Sequence, residues 1–207
     1  MRPHSLGFRS PGGNPGSLPF GIWSPVEIAV TAQCPQAEVE ANWPLVFAAL
    51  VAAGQGSVRS QAGAIGTIAV ETASTFRPVR EAYWLSKEAA YAYYADTSKH
   101  AAYDGGPDYH GRGLNQLTHR YNYLKIGDAI GVHDLASNPD KAMEPATAAK
   151  IFAEYWRARD VQGMADADDW MTLRKAVVGY VANPPGYDRV RNVAISLVNM
   201  ARSRGAL

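Results

Sequence analysis

Residues 61–73, "QAGAIGTIAVETA", are small or aliphatic at nearly every position and then stop on a carboxylate, Glu71. A proline-free run of this kind predicts a buried helix, capped at Ser60, with Glu71 in its last turn. Carboxylates are rarely placed at the end of a buried helix without a partner or a purpose. Arg77 and Arg80 are the nearest candidate partners along the chain. Ten residues on, beyond the corner Phe76-Arg77-Pro78-Val79, stands a second carboxylate, Glu81.

Working outward, the neighbouring segments repeat the helical pattern. "SPVEIAVTAQ" (24–33) has Ser24 as N-cap, Pro25 at the first helical position and Glu27 three residues on, a capping box. "EANWPLVFAALVAAG" (40–54) is predicted to pair with the 61–73 helix in the core. "SKEAAYAYYADT" (86–97) begins a further helix at Ser86, and the Gly/Pro/Asp-rich loop "DGGPDYHGRG" (104–113) follows. Helical spacing returns in 117–131, 144–159, 168–181 and 187–203. No alternating strand and no repeat is visible. The expected fold is therefore mainly α, a lysozyme-like single domain with a substrate groove and at most a small β-hairpin near residues 100–113. Residues 1–22, rich in Pro and Gly, read as an irregular arm, leaving 23–207 as the domain.

Composition narrows the function. The chain has 207 residues and a net charge of +1, with its basic residues dispersed, so neither nucleic acid nor an anionic membrane surface is an expected partner. Cys34 is the single cysteine, which excludes an internal disulfide and suits a reducing compartment. No apolar run reaches the roughly 18 residues of a membrane span, and no secretory signal is read at the start. His100, His110, His119 and His133 lack the spacing of a zinc helix, so neither metal nor cofactor is expected. "ADADDW" (165–170) reads as a helix start capped by Asp168 or Asp169 rather than a calcium loop. Trp84, Trp156 and Trp170 are assigned to the core, His110 to the groove, and Tyr91, Tyr93 and Tyr94 either wall a cleft or pack.

Two carboxylates across a groove can cleave a glycosidic bond if one is a protonated acid and the other an ionised base. Glu71, approached by apolar residues, suits the acid; Glu81, close to Arg77 and Arg80, suits the carboxylate. The stretch "YHGRGLNQLTHRYNY" (109–123) adds Tyr109, Gln116, Thr118, Asn122 and Tyr123, neutral hydrogen-bonding and stacking groups fit for a sugar, around an Arg112 bracketed by glycines. It fails as a dinucleotide fingerprint, having no preceding strand and no third glycine.

"AVETASTFRPVRE", "YHGRGLNQLTHRYNY", "NPD" and "YVANPPGYDRVRN", in that order over about residues 40–200, resemble the family 19 glycoside hydrolases, chitinase-like enzymes, and most closely the short bacteriophage endolysins of that family. The resemblance implies that Glu71 is the general acid and Glu81 the general base of an inverting mechanism, with Thr118 holding the attacking water. Gln116, Asn122 and Asn183 would bind substrate, with Arg112 and Arg189 setting structure or charge in the site; Tyr109 and Tyr123 join the substrate contacts on the chemistry of the 109–123 stretch. Ala73 and Ser74 stand where glycines are frequent in that family, and "VANPPGYD" replaces an Asn-Gly-Gly stretch. The expected activity is hydrolysis of β-1,4 bonds in peptidoglycan or, alternatively, chitin. A wall-binding or virion structural module is the non-enzymatic reading, which both acids argue against. The expected form is a monomer held in the bacterial cytoplasm until lysis releases it to the wall.

Overall fold

The computed structural model describes residues 21–98 and 102–207, so the arm lies almost wholly outside the described residues, as does His100. The domain is mainly helical, with α1 (Pro25–Ala32), α2 (Gln36–Ala52), α3 (Val58–Glu71), α4 (Lys87–Ala95), α5 (Arg120–Ala129), α6 (Pro145–Ala158), α7 (Val161–Asp166), α8 (Trp170–Val178) and α9 (Tyr187–Ser203). Two two-residue strands, β1 (Val79–Arg80) and β2 (Arg112–Gly113), pair antiparallel, with Val79 opposite Gly113 and Arg80 opposite Arg112. No described helix is long and apolar enough to cross a membrane.

Local chemistry explains most boundaries. The Ser24–Glu27 capping box is formed in both directions, at 2.8 and 3.3 Å, and Ser86 and Asp169 cap α4 and α8. Arg204 also meets Glu27, and this bond holds its carboxyl down at about 2. At α3, Ser57 rather than Ser60 is the cap, its Oγ accepting from the Ser60 N–H at 3.1 Å. Ser60 instead lies buried in the first turn, donating to the Gln55 carbonyl and accepting from the Trp156 indole at 2.9 Å.

The expected pairing of α2 with α3 is replaced: α3 lies along α9, and α2 against α6. The reason is Gly66, where a Cβ would stand 2.8 Å from the Val190 carbonyl oxygen, so only glycine allows α3 and α9 this close. Trp23, Trp43, Phe152 and Trp156 fill the core around them. Each such side chain stabilises the fold by about 1.5–3 kcal/mol on burial. The strand pair also differs from the expected hairpin: 112–113 returns to 79–80, and a tight turn joins Arg112 to Leu117 by bonds of 3.2 and 2.8 Å. Trp156 and Trp170 are core as expected, but Trp84 is 70% exposed, standing edge-on to Tyr83 beyond the small cluster of Ala82, Ala90 and Tyr94.

Candidate active site

The long α3 carries Glu71 from the core to the surface. Its carboxylate meets neither Arg77 nor Arg80 but Arg174, 103 positions along the chain, with Glu71 Oε1 2.5 Å from Arg174 Nη1. Arg174 is almost wholly buried, and its Nε donates to the Pro185 carbonyl at 2.7 Å. It belongs to the buried stripe of α8, beside Trp170, Leu173 and Val177, so the guanidinium end of the ion pair is buried while the carboxylate end reaches the hollow. Arg77 points to Glu38 at 3.9 Å, and Arg80 donates to the Leu85 carbonyl at 2.6 Å. After Glu71 the chain turns sharply: Ala73, Ser74 and Phe76 all adopt left-handed φ of 48°, 67° and 56°. Thr72 braces that turn, accepting from the Phe76 N–H at 3.0 Å.

Glu81 is held differently, by a loop backbone amide and a phenol hydroxyl. Its Oε2 accepts the Gly111 N–H and the Tyr103 hydroxyl, both at 2.8 Å. Burial, and then the bond to Glu81, push the Tyr103 hydroxyl well above the usual phenol range; burial, and then the charge of Glu81, do the same to Tyr94. Both hydroxyls therefore remain protonated at neutral pH. Gly111 is confined between two side chains: a Cβ there would meet Gln116 Oε1 at 2.7 Å and Glu81 Oε2 at 3.1 Å.

Glu71, Gln116, Thr118 and Asn122 line one hollow of about 330 Å³, together with Asn115, His119, Tyr121, Tyr155, Arg159 and the 177–179 backbone region. Gln116 is fixed by Nε2 bonds to the Val79 and Gly113 carbonyls at 3.0 and 3.1 Å. Asn122 Nδ2 donates to the Thr118 carbonyl at 2.9 Å. Donors, acceptors and aromatic faces thus surround the acid, with Gln116 and Gly111 leading to Glu81.

The other residues expected at the groove are placed elsewhere. Arg112 is buried and committed to Asp140 (2.9 Å) and to the Asp108 and His110 carbonyls, so it braces the loop instead of touching substrate. Tyr123 is buried with its hydroxyl on the Leu117 and His110 carbonyls, and burial pushes it up to about 12. Tyr109 turns its hydroxyl to the Ala136 carbonyl at 2.9 Å. Asn183 and Arg189 line a separate hollow with Met171 and Tyr187, and Arg189 donates to the Ala32 carbonyl at 2.8 Å. The arginine that pairs with Glu71 is Arg174, on α8, one helix earlier. His110 is buried rather than lining the hollow, stacked on Tyr94 at 5.1 Å with Nδ1 on the Pro107 carbonyl; burial lowers its pKa.

Sequence reasoning also missed Tyr103, Asn115, Tyr155 and Arg159. Arg174 had a legible signal, a charge at an apolar position of a helical stripe; Tyr103 had none, sitting in an irregular loop. Asn115 is buried beside the hollow with both amide atoms unpaired among the described residues. No three His, Cys, Asp or Glu side chains converge as metal ligands among the described residues.

This chain is similar to chitinases both in sequence and in fold. Rice (Oryza sativa subsp. japonica) "Chitinase 11" is 47% identical over 51 residues, 24% of this chain and 20% of that protein. The tomato (Solanum lycopersicum) "Acidic 26 kDa endochitinase" is 31% identical over 96 residues, 41% of this chain and 35% of that protein. The chain thus spans a fifth to about a third of the length of the curated relatives it matches. Chitinase C from Streptomyces griseus HUT6037 shares the fold, with a TM-score of 0.61 at 22% identity over 94% of this chain and 96% of that one. A bacterial family 19 chitinase does so with a TM-score of 0.57 at 20% identity, over 83% and 94%. The family described as "Chitinase class I" matches residues 46–181, which include both acids, the strand pair and the hollow: the chain belongs to glycoside hydrolase family 19.

Proposed function

We propose that this protein hydrolyses β-1,4 bonds of an N-acetylhexosamine polymer by an inverting two-carboxylate mechanism, with peptidoglycan glycan strands as its substrate. The observation that carries the reading is the pair of differently held acids beside a hollow rich in hydrogen-bonding groups: Glu71, which lines it, on buried Arg174, and Glu81, reached by way of Gln116 and Gly111, on the Gly111 N–H and Tyr103 hydroxyl. Glu71 gives its proton to the glycosidic oxygen as the C1–O bond breaks, and Arg174 stabilises the carboxylate that results. A water held by the Thr118 hydroxyl attacks C1 from the opposite face and passes its proton to Glu81. No metal is needed in this scheme, since both proton transfers are made by carboxylates. The single cysteine is half-buried, and burial pushes its thiol up to about 11, so it supplies little thiolate at neutral pH and takes no part in this scheme.

Digestion of purified peptidoglycan and of chitin hexasaccharide, with reducing ends identified by mass spectrometry, tests the proposal. Release of β-1,4-cleaved disaccharide units from peptidoglycan supports it. The names of the rice and tomato relatives favour a second reading, chitin hydrolysis, for which only the hexasaccharide would be cut.

A further inference from the structure

The hollow beside Glu71 holds a cation with no counter-charge. Arg159, half-buried at the C-terminal end of α6, lines it with Asn115, Gln116, Thr118 and Asn122. Its guanidinium carbon stands 3.4 Å from the centre of the Tyr155 ring, one turn back along the helix. The ring is itself anchored, because the Tyr155 hydroxyl donates to the Val177 carbonyl at 2.9 Å. Cation–π contact and a fixed ring preorganise the guanidinium. Yet among the described residues Arg159 forms no salt bridge, and its side chain makes no hydrogen bond. The one acid lining the hollow, Glu71, is already committed to Arg174 at 2.5 Å. A cation near a helix C-terminus is ordinarily explained by the helix dipole. Here the side chain instead folds back over Tyr155 and brings its charge to the hollow.

We infer that Arg159 is a specificity residue that reads a carboxylate on the bound glycan, one carried by a sugar substituent such as a lactyl ether or its attached peptide. A neutral amino-sugar polymer offers the guanidinium hydroxyl and amide oxygens but no opposite charge. An acidic glycan strand offers a planar anion that matches its fork. The inference rests on the peptidoglycan reading but is separable from it, because binding can be measured without turnover.

The test uses Glu81→Gln, which stops the reaction without changing a residue that lines the hollow, while its amide oxygen can still accept from Gly111 and Tyr103. Calorimetry compares a peptide-free N-acetylglucosamine/N-acetylmuramic acid tetrasaccharide with chitin tetrasaccharide, at low and high salt. The acidic ligand should bind about five- to tenfold more tightly, as expected for a charge-assisted bidentate contact. Salt should erode that preference. Adding Arg159→Gln should abolish the preference, and Arg159→Lys should restore part of it. Equal affinities for the two ligands before Arg159 is changed, or a preference that survives Arg159→Gln, overturns the inference. An Arg159-dependent preference in a protein whose active form cuts only chitin would uphold the charge reading and sink the peptidoglycan assignment.

Discussion

The two acids sit on walls of different construction. Glu71 ends a helix that runs through the main core, and its partner Arg174 comes from another core helix. Glu81 follows a two-residue strand, and its partners come from loops backed by the small cluster of Ala82, Ala90, Tyr94, Leu85 and Tyr103. One carboxylate is positioned by long-range burial, the other by backbone and phenol hydrogen bonds. The same demand, an oriented carboxylate, is met at opposite ends of local stability. The Glu81 wall, with few buried apolar side chains, is therefore the part able to open around a polymer.

The largest expected effect separates the walls. Glu71→Gln and Glu81→Gln should each reduce kcat by about 10²–10⁴, the usual scale of general acid–base catalysis. Only Glu71→Gln should also cost stability, because it leaves Arg174 buried without a counter-charge; about 1–3 kcal/mol is expected in urea denaturation. Equal melting of the two variants would abolish the contrast drawn between the walls. Next in size, Thr118→Val should lower kcat about tenfold and leave KM within twofold, as loss of a water anchor requires. Its hydroxyl is not a structural cap, since α5 has no side-chain cap, so weakened binding at unchanged kcat would move Thr118 among the substrate contacts.

A smaller effect concerns the Glu81 wall and pH. Burial lowers the pKa of His110 from its ordinary 6.5, so below that pH the unfolded chain takes up a proton that the folded chain resists. This contribution to stability is complete above 6.5 and is lost as pH falls through 6.5 toward the folded value. His110→Phe keeps a ring against Tyr94 and should flatten the fall in melting temperature between pH 7 and 5. An unchanged slope would show that carboxylates alone set it.

The smallest effect lies behind Glu71. Ala73→Gly and Ser74→Gly should relax two left-handed residues, each strained by about 1–2 kcal/mol, against roughly 0.4–1 kcal/mol lost to the freer unfolded chain. The double variant should melt slightly higher; a lower melting temperature would mean that the turn is not strained at these positions.

The legible parts of the molecule were those that local chemistry dictates. The Ser24–Glu27 box, the Ser86 cap and the apolar run into Glu71 follow from short-range spacing, and so the helical class could be read directly. The two acids and Gln116, Thr118 and Asn122 were legible because they fall in two compact motifs. Partnership across the chain was not legible. Nothing near Glu71 points to residue 174, while Arg77 and Arg80, its nearest basic neighbours, turn away. Tyr123 reads as a sugar contact by its chemistry, but its hydroxyl satisfies the Leu117 and His110 carbonyls, whereas Arg112, expected to set structure or charge, braces the loop. Trp84 was misassigned because an aromatic near an apolar segment carries no mark of which side it faces.

The 103-residue span between Glu71 and Arg174 also orders events in time. Loop closure over such a distance is entropically costly and comes late when a chain with many local contacts folds. In refolding, helical signal should return before catalytic turnover, which waits until α8 has docked and brought Arg174 to Glu71. Activity then reports the docking of α8 beside α3, the step at which Arg174 meets Glu71.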